Sequence, residues 1–126
     1  MRLSTLLIIA GVLALAFGLG FLLVPDVVLR PYGVTTDATG LLMARFFASA
    51  LIQLGLILLL LRNVQDPATQ QAIALGSAIG SLAGLAVAVL GVVYHVVNAF
   101  GWSTVTIYGL LFLRYSQIAF GSSPAK

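Results

Sequence analysis

The sequence predicts an all-α protein, a transmembrane four-helix bundle, and three observations carry that reading. Hydrophobic residues make up 61% and charged residues 7% of the 126-residue chain, and mean hydropathy is +1.16. A soluble domain of this length needs far more polar surface. The run from Leu6 to Val24 carries no charge, and at ~1.5 Å of rise per residue it covers most of a ~30 Å hydrocarbon core as one helix. Further apolar stretches run from Leu41 to Leu61, from Ala72 to Tyr94 and onward from Ser103, interrupted only by Arg45 and Arg114. Four crossings in a single domain are expected, with spans at about 4–24, 38–62, 68–99 and 103–120.

Each element has its own signals. Arg2, the apolar run and Ala14-Leu15-Ala16 resemble a signal peptide with a small-residue cleavage site, but apolar sequence continues to Val24, so the run reads as a retained first span. Pro25 closes it, and Val27 to Gly33 reads as a short segment lying at the interface with Arg30 facing out. Thr36 and Asp37 offer N-caps for the second helix. Asp66-Pro67 gives the third a capping carboxylate and a first-turn proline. No breaker follows until Gly101, after which Trp102 and Ser103 open the fourth helix, with Gly121 and a short polar tail at its end.

The formal net charge of +3 is spread over isolated residues between or at the ends of the spans, so nothing forms a basic patch for nucleic acid. The absence of cysteine removes disulfide, thiol and cysteine-metal chemistry, while one histidine and no glutamate leave little for a metal site. No cofactor motif is present, and none is expected. Arg2, Arg62, Arg114 and Lys126 fall on one side of the four-span arrangement, with Arg30, Arg45, Asp26 and Asp37 towards the other. This favours cytoplasmic N- and C-termini. The bias is small, and a dual-topology protein shows a similar one.

The third span carries Gly76, Gly80 and Gly84 at four-residue spacing. Helices in lipid associate through close backbone approach at small residues, so this stripe is expected to be the packing face and Gly80→Leu to disturb the bundle. Ala10, Ala14 and Gly18 on the first span and Ala44 and Ala48 on the second offer matching faces. Homodimerisation through the glycine stripe is the alternative use of it.

Polar residues inside the spans define the candidate site. Helical phase puts His95 on one line with Gly84 and Ser77, facing the interior. At a similar depth lie Asp26, Arg45, Tyr94 and Asn98, and Arg45, Ser49 and Gln53 draw a stripe towards mid-membrane. Asp26, Arg45, Gln53, Tyr94, His95 and Asn98 are therefore the candidate ligand-binding or polar cluster, since ionisable groups within a bilayer face protein or a water-filled cavity. The competing reading is structural: Arg45 snorkels or pairs with Asp26 or Asp37, and His95 hydrogen-bonds a neighbouring helix. Arg114 is a separate inner-side polar residue, with Asp66, Gln70, Gln71 and the last carbonyls of its own helix as candidate partners.

The Pro25 segment, the Tyr32-Gly33 turn, Ala44-Arg45-Phe46-Phe47-Ala48-Ser49-Ala50 and Asn98-Ala99-Phe100-Gly101-Trp102-Ser103-Thr104-Val105 together resemble a group of small bacterial four-helix membrane proteins of DoxX-like outline. The resemblance implies a bacterial inner-membrane bundle and brings no catalytic residues. Small multidrug transporters rely on a glutamate in the first span, and this chain has none.

The expected function is a non-enzymatic integral membrane protein that binds a lipid-like or apolar ligand or supports a partner protein, as a homo-oligomer or within a larger membrane complex. The alternative is a small homodimeric transporter or channel with a polar path through Arg45, Gln53 and His95. An enzyme ranks third, because one histidine without paired carboxylates is a poor acid-base set.

Overall fold

A computed structural model describes residues 2–121; Lys126 and the polar tail fall outside the described residues. The chain forms α1 (Leu3–Leu23), α2 (Pro25–Leu29), a 3-10 turn (Arg30–Tyr32), α3 (Ala38–Leu60), α4 (Pro67–Val93) and α5 (Gly101–Phe120). No strand occurs among the described residues. Three helices, α1, α3 and α4, are long and apolar enough to cross a membrane. At 20 residues α5 matches the bilayer in length, but Ser103, Thr104, Thr106, Arg114 and Gln117 make it too polar to stand beside the other three. Four spans were expected; three helices meet the length and apolarity of a crossing, and a four-helix transmembrane bundle does not follow from apolarity alone.

The helix starts follow the capping residues. Asp37 Oδ1 accepts from the Gly40 amide at 2.9 Å, satisfying one of the unpaired N–H groups at the start of α3. Asp66 does the same for α4: Oδ2 accepts from the Thr69 hydroxyl at 2.6 Å and from the Thr69 amide at 3.1 Å. Thr69's hydroxyl, then its amide, hold the Asp66 carboxyl below the ordinary aspartate value, against a weak opposing effect of burial.

The chain divides into two compact units, cut between Leu6 and Leu7 and between Leu61 and Arg62. In the first, Leu7–Leu61, α1 and α3 pack antiparallel through small residues. A β-carbon placed on Gly55 would stand 2.8 Å from the Gly11 carbonyl oxygen, and one on Gly18 would stand 3.2 Å from the Ala48 carbonyl oxygen and 2.8 Å from Ile52 Cγ1. Ala10, Ala14 and Ala48 are buried. The Phe21 and Phe47 rings meet edge to face, centroids 5.6 Å apart. Pro25 is buried, and α2 folds back so that Val28 lies over Gly20.

In the second unit α4 and α5 form an antiparallel hairpin paired along its length. Gln71 Nε2 donates to the Ala119 carbonyl at 3.1 Å, Tyr115 approaches Ser77, Tyr108 lies on Gly84, and Val92 lies on Gly101. Ala74, Ala78 and Ser81 form the buried face of α4. The glycine stripe is thereby corrected. Gly84 does pack, but Gly76 and Gly80 are exposed and have no atom within 4 Å of a β-carbon position. Four-residue spacing drifts around the helix at 100° per residue, and α5 follows a different line.

Candidate functional site

Arg45 is the first polar side chain whose role the geometry explains. Its Nε donates to the Leu22 carbonyl at 3.2 Å. That oxygen belongs to the last turn of α1, whose final carbonyls lack intrahelical donors and carry the negative end of the helix dipole. The last turn of α1 has no basic residue of its own, so α3 supplies one. Arg45 makes no ion pair with Asp26 or Asp37 among the described residues. Ser49 donates back to the Phe46 carbonyl at 2.8 Å, and Gln53 is exposed on α3. The stripe thus resolves into a helix-end cap, a self-satisfied hydroxyl and one outward-facing amide.

We expect Arg45→Ala to lower stability by about 1–2 kcal/mol, the range for a hydrogen bond to a charged group combined with a helix-end charge. Thermal unfolding in lipid nanodiscs reads this directly, and an unchanged midpoint contradicts the capping role.

The second unit holds Tyr94, His95 and Asn98, all exposed in the α4–α5 connector. His95 does not face a packed interior. Helix α4 ends at Val93 rather than near residue 99, so helical phase does not extend to His95. The end is a Schellman motif: the His95 amide donates to Val92 O at 3.1 Å and the Val96 amide to Gly91 O at 2.9 Å. His95 occupies the left-handed position, φ 59°, which glycine normally takes. Sequence reasoning missed this stop because the motif lacks its glycine. Asn98 then turns the chain, its Oδ1 accepting from the Phe100 amide at 2.9 Å.

The strained backbone at His95 gives a signed prediction. His95→Gly should raise stability by about 1 kcal/mol by removing the β-carbon penalty of the left-handed conformation. Chemical unfolding in detergent tests it; destabilisation contradicts this placement of His95.

On α5, Arg114 Nη1 donates to Gln117 Oε1 at 2.9 Å, directing the guanidinium towards the helix's C-terminal end. Of the partners expected for it, Gln71 instead holds the Ala119 carbonyl and Gln70 the Val64 carbonyl. The Tyr115 hydroxyl is buried without a partner in full hydrogen-bonding geometry, Ser77 being the polar group beside it. Among the described residues no three of His, Cys, Asp or Glu gather as a metal-ligand set.

Gly11 and Gly55 are the packing residues that sequence reasoning passed over. A signal was present: Gly11 and Gly18, like Ala48 and Gly55, are small residues seven apart. No protein-family model, curated protein or solved structure matches the chain.

Proposed function

We propose that the chain is a small integral membrane protein of four crossings, with both termini cytoplasmic in a bacterial inner membrane, and that its role is non-enzymatic support of a partner within the bilayer. The observation that carries this reading is how the polar side chains of its apolar helices are used. Arg45 caps α1, Gln71 caps α5, and Arg114 lies along its own helix. These groups hold helix ends in place, which is the task of a scaffold. The fourth crossing rests on the hairpin: α5 pairs with α4 from Gly101 to Ala119, so a bilayer-spanning α4 carries its more polar partner across.

Reconstitution into liposomes tests the role. The wild-type protein should add no Na⁺, K⁺, H⁺ or Cl⁻ flux above that of empty vesicles, and Arg45→Ala should change stability alone. Flux that disappears in Arg45→Ala and Gln53→Ala would support a polar conduction path in place of a scaffold.

A further inference from the structure

Leu42, Phe46, Ser49, Gln53, Leu56 and Leu60 recur along α3 at alternating steps of four and three, and all six are exposed, Phe46 at 61% and Leu60 at 79%. This is the spacing of a left-handed coiled-coil seam. The seam lies about 120° around the helix from Ala48, turned away from the face that meets α1. Phe46, Gln53 and Leu60 take one set of core positions and Leu42, Ser49 and Leu56 the other, with Gln53 near the middle.

Ser49 is satisfied by its own helix, whereas the Gln53 amide has no hydrogen-bond partner among the described residues. It lies about 10 Å from the nearer end of α3, beyond the reach of a two-carbon stem to the headgroups. In hydrocarbon an unpaired amide is unfavourable. A single polar residue at a central seam position commonly fixes register and oligomer state.

We infer that α3 pairs with α3 of a second copy of this chain, in parallel, with Gln53 hydrogen-bonded to Gln53 across the two-fold axis. A primary amide carries both donors and an acceptor, so it complements itself. Two copies inserted in the same direction place identical seam residues at identical depth, as a two-fold interface requires. The seam carries no charge, so no like-charge repulsion opposes the pairing. A helix of different sequence would have to offer a matching amide at the same depth.

The proposal rests on α3 lying in the bilayer, and alkaline-resistant membrane association of every variant checks that separately. The chain has no cysteine, so single cysteines report without background. Oxidation in native membranes should cross-link copies carrying Leu42→Cys, Ser49→Cys or Leu56→Cys, and not Met43→Cys or Leu54→Cys on the flank of the helix. Gln53→Leu should weaken dimerisation in micelles about three- to fifteen-fold, with Gln53→Asn retaining most of it. Membrane-bound protein that cross-links at no seam position, or equally at seam and flank, overturns the proposal, as does a Gln53→Leu variant that dimerises like the wild type.

Discussion

Gly55→Leu should destabilise the α1–α3 pair by about 3 kcal/mol, the upper end of the usual cost of overpacking. The reason is what a side chain at that position would meet. A β-carbon alone would stand 2.8 Å from the Gly11 carbonyl oxygen, 2.8 Å from Leu15 Cγ and 3.1 Å from the Leu15 amide nitrogen. Two of these atoms are backbone, which cannot rotate away, so the helices must separate. Separation would also draw Leu22 O away from Arg45 and part the Phe21 and Phe47 rings. Gly55→Ala should show the same effect at smaller size. Gly80→Leu is the matched control, because nothing lies near its β-carbon position, and it should stay within about 0.5 kcal/mol of the wild type. Thermal unfolding of the three variants in one detergent decides the matter, and equal losses at Gly55 and Gly80 would contradict the packing described.

Gly84→Leu should cost about 2 kcal/mol by the same mechanism in the α4–α5 hairpin. The obstacle there is the Tyr108 ring, with Cδ1 and Cζ each 2.6 Å from a β-carbon position. A ring on a partly exposed residue can swing aside where a carbonyl cannot, which is why this loss is the smaller. Tyr108→Ala should relieve it. The double variant should therefore be less destabilised than the two single losses added together, by at least about 0.5 kcal/mol for residues in direct contact. Additive losses would show that Gly84 and Tyr108 do not touch.

The helices were legible because hydrophobic run length and capping residues act locally. Asp37 and Asp66 mark the starts of α3 and α4 by their chemistry alone, and both cap as the sequence implies. The end of α4 was not legible, since a histidine in the left-handed position gives no stop signal and only the amide partners of Val92 and Gly91 reveal it. The packing faces were partly legible. Gly18 and Ala48 were expected and do meet, but Gly76 and Gly80 lie on a four-residue spacing that leaves the contact line. The contacts follow seven-residue spacing instead: Gly11 with Gly18, Ala48 with Gly55, Ser77 with Gly84, and Tyr108 with Tyr115. That is the spacing expected of helices crossing at a shallow angle.

The polar cluster was the least legible part. Depth along a helix can be counted from residue number, but the partner of a long side chain cannot. Arg45 chose a backbone carbonyl on α1 over either aspartate. A carbonyl at a helix end is invisible in a list of charged residues, yet in lipid it too needs a donor.

Crossing of the membrane by α5 alongside α4, despite its polarity, is tested most directly by alternating accessibility. Single cysteines at Thr35, Asn63, Ala99 and Gly121, all exposed outside the four long helices, would be labelled in intact cells by a membrane-impermeant maleimide. Four crossings with cytoplasmic termini predict labelling at Thr35 and Ala99, and protection at Asn63 and Gly121 until the cells are permeabilised. Labelling of Ala99 and Gly121 alike in intact cells would contradict the account, because it would place both ends of α5 on one side of the bilayer.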